Sequence, residues 1–265
     1  MACRIFRLKL PITATVVPQG KAVAAVERLP EAKDISVSVS IIIPVYNESA
    51  GLNQSLQRLF QSLPAEPAAE VIVCDGGSTD NTIEIAQQFD CRVVSSKNGR
   101  AAQMNLGSRE ANGKLLLFLH ADSELPDQWY SEVTAITEWG FFPIKLDGTH
   151  WLLRIIEGAI NFRSRISKVA TGDQGLCFQK PFFEKLHGYP DILIMEDIAI
   201  TKLARRISRP FIANKPVLTS SRRWEKYGVI KTVLLMWALR FAYWIGISPN
   251  RLHRIYYPDN IDNLR

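Results

Sequence analysis

Cysteine and histidine are scarce in this 265-residue chain, four of each, and their placement removes several chemistries. Cys3, Cys74, Cys91 and Cys177 are scattered, with no CxxC pair and no histidine at zinc-site spacing. The thiols therefore read as reduced and mostly buried, as in a cytoplasmic protein, and not as a disulfide framework or a zinc site. No GxGxxG follows the first apolar run, which argues against a dinucleotide fold of the usual type. The stretch Gly107-Ser-Arg-Glu-Ala-Asn-Gly-Lys-Leu115 is one residue too long for a phosphate-binding P-loop and lacks Ser or Thr after the lysine. No nucleic-acid motif accompanies the formal charge of +6, so the surplus suits an anionic substrate or a membrane surface better than DNA or RNA. Residues 1–37 contain Arg4, Arg7 and Lys9 but no long apolar run or cleavage site. They read as a flexible, weakly basic leader and not as a signal peptide.

What the chain does have is an ordinary globular composition, 47% hydrophobic and 22% charged, at a length that suits one large α/β domain. From residue 38 the pattern is regular. Ser38 to Tyr46, Glu70 to Asp75, Cys91 to Ser96 and Lys114 to Asp122 are short apolar runs of the kind buried on both faces. Helical patterns lie between them over about 48–63, after the Gly-Gly-Ser-Thr-Asp-Asn turn, and over 100–111. Such alternation predicts a doubly wound, mostly parallel sheet with helices on both faces. Further helices are expected over 127–139, 150–168 and 182–186, and from Ile198 after Glu196-Asp197.

Ligands of such sheets sit outside the carboxyl ends of the strands. Tyr46, Asn47, Glu48, Asp75, His120 and Asp122 end the runs, so they should converge on one crevice. Carboxylates in a crevice that receives anionic phosphates make sense when a divalent cation lies between them. His120-Ala-Asp122-Ser-Glu124, directly after an apolar strand, is where that cation should bind.

At these residues the chain resembles the family 2 glycosyltransferases, inverting enzymes with a nucleotide-binding α/β (GT-A-type) fold. Ser40-Ile-Ile-Ile-Pro-Val-Tyr-Asn-Glu48 is similar to the family's opening strand. The resemblance implies that Tyr46 lies against the nucleotide base, with Pro44 and Glu48 lining the same pocket. Val73-Cys-Asp-Gly-Gly-Ser-Thr-Asp80 resembles the second motif, whose first aspartate, here Asp75, accepts a hydrogen bond from the base. Gly99 to Gly107 resembles the segment that approaches the donor. His120-Ala-Asp122 stands where the family carries its metal-binding Asp-x-Asp. Gly172 to Phe178, Gly188 and Glu196-Asp197 follow in the family's order, which implies Asp197 as general base.

The departures shape the expectations. His120 replaces the first aspartate, leaving Asp122 as the direct metal ligand and both Mn2+ and Mg2+ open. Met104 stands where many relatives have arginine, so the positive charge near the donor falls to Arg100. Its place at a helix start, where its charge opposes the dipole, also favours an anionic partner. Ser220-Ser-Arg-Arg-Trp224 resembles the Gln-x-x-Arg-Trp of processive members without its glutamine; Arg223 is the expected donor or acceptor contact, and long-chain polymerisation is not implied. The expected reaction transfers a hexose from a UDP-type donor to a hydroxyl or carboxyl, with lipids, carotenoid-type acids and glycans all open as acceptors. The alternatives are a silent nucleotide-sugar-binding protein and a nucleotidyltransferase.

The organisation expected is a leader (1–37), a catalytic domain (38–225) and an amphipathic helical segment (226–265). From Val229 to Ile247 only Lys231 and Arg240 are charged, and Trp237, Tyr243 and Trp244 are residues of membrane interfaces. Arg240 near its middle disfavours spanning, so the segment is expected either to lie on the inner membrane face or to pack on the core.

Overall fold

The structure, a computed structural model, describes residues 38–65 and 69–257; the leader assigned to 1–37 lies outside them. Strand β1 (Val39–Val45), helix α1 (Ser49–Ser62), strand β2 (Ala69–Asp75), helix α2 (Thr82–Ala86) and strand β3 (Arg92–Ser95) come first. Helix α3 (Arg100–Glu110) and strand β4 (Leu115–Phe118) complete the regular alternation. Shorter elements follow: β5 (Ser123–Glu124), α4 (Trp129–Thr134), β6 (Trp139–Phe141) and β7 (Ile144–Leu146). Then come α5 (Trp151–Ser167), β8 (Leu176–Gln179), α6 (Lys180–Lys185), α7 (Glu196–Ile207), β9 (Phe211–Ile212) and β10 (Val217–Thr219). Helices α8 (Arg222–Tyr227), α9 (Val229–Trp244) and α10 (Pro249–Tyr256) end the described chain.

The main sheet has the order β3-β2-β1-β4-β8-β6-β9, and β5-β10-β7 form a small second sheet. Strands β3, β2, β1 and β4 are mutually parallel, and β8 runs antiparallel to β4 and β6. The period-two geometry of a strand explains why the runs are apolar throughout. Ile41, Ile43 and Val45 pack with Leu52, Leu56 and Leu59 of α1 on one face, whereas Ile42 packs with Ala101 and Met104 of α3 on the other. Met104 thus points into the core. A Cβ on Gly107 would lie 2.5 Å from Ile42 Cγ2 and 2.7 Å from Cys74 Sγ, so only glycine lets α3 lie this close to the sheet.

Two expected boundaries shift. The helix expected over 127–139 stops at Thr134, because Trp139 enters the sheet and stacks on Phe178 with ring centroids 6.1 Å apart. The helix expected from Ile198 begins at Glu196, after Met195 in a left-handed conformation at φ 69°. Asp197 is therefore in the first turn and is not the N-cap.

The C-terminal helices pack on the core through Leu239 and Leu252, which meet Val169, Met195 and Ile198. The other face of α9 carries Ile230, Leu234, Trp237, Phe241 and Trp244, each 60–73% exposed. Among the described residues no helix is long and apolar enough to cross a membrane.

Candidate active site

Strands β1 and β2 end side by side in parallel register, Val45 opposite Asp75, so the loops after them are neighbours. Asn47, at φ 52°, donates its N–H to Ser78 Oγ (2.9 Å) and accepts at Oδ1 from the Thr79 N–H (2.8 Å). A short amide side chain tolerates that backbone and ties the loops together. Asp75 is buried, and its carboxylate accepts from the N–H groups of Gly77 (2.8 Å) and Ser78 (3.1 Å), which fixes the turn. Gln103 of α3 donates from Nε2 to the carbonyls of Val45 and Cys74, both at 2.7 Å.

A cavity of about 620 Å³ opens at this edge. Pro44, Tyr46, Glu48, Arg100 and Asp197 all line it, which joins five of the residues singled out in the sequence. Another part of its wall comes from Met236, Leu239 and Arg240 of α9 and from His253, Tyr256 and Tyr257 in and after α10. Asp75, His120 and Asp122 do not line it. Asp122 lies next to it: its Oδ2 is 3.4 Å from Arg222 Nη2, which is 3.7 Å from Glu48 Oε2. Arg223, expected from the sequence to contact donor or acceptor, has its side chain outside the described residues; Arg222, one position earlier, makes the contact to Glu48 and Asp122.

His120 packs against the turn Gly172–Gln174, where a Cβ on Gly172 would stand 2.6 Å from its Nε2. Burial, reinforced by the charge of Arg100, lowers its pKa to about 4, so the imidazole is neutral near pH 7. Burial works against the Arg100 cation, but Tyr257, Glu196, Tyr256 and Asp122 more than offset it and the guanidinium stays charged.

Asp197 is held from two sides: Oδ2 accepts from the Gly172 N–H (2.8 Å) and Oδ1 from its neighbour Ile198 (2.6 Å). These bonds favour the anion, yet burial outweighs them and the pKa lies above the ordinary aspartate value. The helix terminus alone therefore does not set its ionisation. Glu196 is only 6% exposed. Burial first, then the neighbouring Asp197, raise its pKa to about 7 against the pull of Arg100. The site thus pairs a backbone-anchored carboxylate with a second carboxyl poised near neutrality, beside an arginine. Such a pair can accept and hold a proton.

The family model described as Glycosyl transferase family 2 matches residues 40–139. That span holds β1 to β4 and the site residues Pro44, Tyr46, Glu48, Asp75, Arg100, His120 and Asp122. Over these residues the chain is similar to a family 2 glycosyltransferase domain. Glycosyltransferase AglE of Haloferax volcanii is 35% identical over 98 residues, covering 34% of this chain and 32% of that protein. The undecaprenyl-phosphate 4-deoxy-4-formamido-L-arabinose transferase of Proteus mirabilis is 32% identical over 112 residues, covering 39% and 34%. The chain spans about a third of the length of these curated relatives. S. aureus TarS 1-349 in complex with UDP-GlcNAc superposes with a TM-score of 0.57 at 17% identity, covering 69% of this chain and 58% of that one. The mannosyltransferase PcManGT of Pyrobaculum calidifontis, in complex with GDP-Man and Mn2+, gives 0.54 at 21%, covering 69% and 56%. These structures share the glycosyltransferase fold, including a mainly parallel sheet.

Whether this glycosyltransferase domain suits a divalent cation can be judged from Arg222. Its guanidinium sits between the Glu48 and Asp122 carboxylates, marking a point where two acidic groups already accept a cation. Among the described residues no three His, Cys, Asp or Glu side chains cluster as a complete ligand set. An ion held by one or two carboxylates, with diphosphate oxygens and water as its other ligands, fits that donor set.

Proposed function

We propose that the chain transfers a sugar, with inversion, from a nucleoside-diphosphate donor of the UDP-hexose class to an acceptor hydroxyl or carboxyl. The observation that carries this reading is the placement of Asp197 in the same cavity as Pro44, Tyr46, Glu48 and Arg100. Tyr46 and Pro44 wall the base side. Asp75, fixed by two amides, retains acceptor capacity toward the base. Arg100, and Arg222 or Arg223 after β10, face the phosphates. Asp122, with neutral His120 beside it, is the proposed holder of Mn2+ or Mg2+, which when bound offsets charge on the departing diphosphate. Asp197 Oδ takes the proton of the acceptor oxygen as that oxygen bonds to the anomeric carbon. The bond from that carbon to the diphosphate oxygen breaks, and the nucleoside diphosphate leaves.

The exposed stripe of α9 supports a peripheral contact with an anionic membrane face. Lys226, Lys231, Arg251 and Arg254 are exposed around it, and α9 and α10 contain no acidic residue. A relative named for undecaprenyl-phosphate is in keeping with a lipid acceptor. The decisive experiment is on Asp197→Asn with UDP-sugars and manganese. It should bind donor as the parent does and lose about 10²–10⁴-fold in transfer or slow donor hydrolysis. Near-normal turnover by the folded variant refutes the assignment. Donor binding without turnover by the parent protein identifies a silent binding protein instead.

A further inference from the structure

The charged groups around the cavity are mostly accounted for. Lys97 pairs with Asp191 at 3.2 Å, Arg222 reaches Glu48 and Asp122, and Arg100 lies in the field of Glu196 and Asp122. Arg240 is different. It lines the cavity from α9, is half-buried, and makes no hydrogen bond or ion pair with any described residue. Leu193, Met236 and Leu239 add apolar surface to the same cavity. A half-buried guanidinium with no hydrogen bond or ion pair keeps its planar donors for a ligand.

The packing says which end of the cavity this is. Helix α9 rests on Met195 and Ile198, which flank the Glu196-Asp197 pair. Arg240 therefore belongs to the end beside the proposed base, and that is where an acceptor oxygen must lie to give up its proton. The helix geometry adds a second point. At about 100° per residue, Ile230, Leu234, Trp237, Phe241 and Trp244 fall within a sector of about 80°, with Leu239 opposite. Arg240 falls about 80° to one side of that stripe, between the outward apolar face and the cavity.

We infer that Arg240 binds an anionic group of the acceptor, a phosphate or carboxylate, at the Asp197 end of the cavity. The inference rests on the sugar-transfer reading and deepens it: the acceptor is an amphiphile with a charged head. The planar fork of arginine engages such a group through two parallel N–H···O bonds, which a lone hydroxyl cannot accept equally well. The apolar wall takes the adjoining carbon chain.

Binding of octyl phosphate, octanoate and octanol to the full chain, followed by calorimetry, tests this, with UDP binding measured alongside. The expected result is that at least one of the two anionic amphiphiles binds the parent about tenfold or more tightly than octanol. Arg240→Gln should lose about 10–100-fold of that affinity, as loss of a charge-assisted hydrogen bond does, with UDP affinity unchanged. Arg240→Lys should recover part of it. The ranking of octyl phosphate against octanoate tells which head group is recognised. Equal binding of octanol and both anions by the parent overturns the inference, as does unaltered anion binding by Arg240→Gln. A parallel loss of UDP affinity assigns Arg240 to the donor and also overturns it. Failure of the parent to bind UDP at all strikes the transfer reading itself, a separate outcome.

Discussion

Replacing Glu196 by glutamine should change how stability depends on pH, in a direction the structure fixes. The carboxyl is 6% exposed, and burial, then Asp197, raise its pKa from the ordinary 4.5 to about 7. A carboxyl whose pKa is raised on folding binds its proton more tightly in the native state. Its favourable contribution is therefore complete below the unfolded value and fades as pH rises through about 7. Between pH 5 and pH 8 that loss is on the order of 2–3 kcal/mol, each tenfold difference in proton affinity being worth about 1.36 kcal/mol. Glu196→Gln keeps the size and a hydrogen-bonding amide but cannot ionise. Urea unfolding of parent and variant at both pH values isolates that contribution. The variant should gain on the order of 2–3 kcal/mol on the parent between pH 5 and pH 8. Because Asp197 is among the causes, Asp197→Asn should lower the pH at which the parent's loss occurs. Parallel pH profiles for parent and Glu196→Gln would falsify the claim that Glu196 is a buried, near-neutral carboxyl.

Asp122→Asn should weaken Mn2+ binding in the presence of UDP by at least the ~10–100-fold that even outer-shell changes cost; unchanged titration curves remove Asp122 from the cation site. Gly107→Ala should destabilise the fold, because a Cβ 2.5 Å from Ile42 Cγ2 brings an overpacking penalty of about 1–3 kcal/mol against a helix-propensity gain of about 1 kcal/mol. A higher urea midpoint for that variant contradicts the packing. In flotation with anionic vesicles at low salt the parent should rise with the lipid, and Trp237→Ser/Phe241→Ser should stay below. A parent protein that ignores the vesicles leaves α9 as a core helix only.

The first half of the fold was legible because each element is long enough to show its period. Seven-residue β1 and β2 and the 14-residue α1 carry clear patterns, and the parallel order follows from their alternation. The second half was not. Strands β5, β6, β7, β9 and β10 have two or three residues each, too few for any periodicity, and they are set by pairing with strands distant in sequence. In the site, motif order located Pro44, Tyr46, Glu48, Arg100 and Asp197 around one cavity. It did not single out Arg222, because its contacts to Glu48 and Asp122 join segments far apart in the chain. It also missed the cavity wall made by α9 and α10, since nothing in an apolar run tells which of its faces will meet a cavity. The near-neutral Glu196 was hidden for a similar reason: acidic residues at a helix start are usually solvated, and only tertiary burial reverses that.

Gln103 clamps the ends of β1 and β2 through two 2.7 Å bonds, and Asn47 laces the loops that follow. The other wall, α9 and α10, is attached through a small cluster around Leu239 and Leu252. One side of the cavity is thus stiff and costly to alter, while the other is loosely tethered and rich in positions open to substitution. In evolutionary terms the two halves of such an enzyme are separable. Changes in the C-terminal helices can reshape that wall while the edge built by β1 and β2 keeps its geometry, so related sequences should drift fastest along α9 and α10.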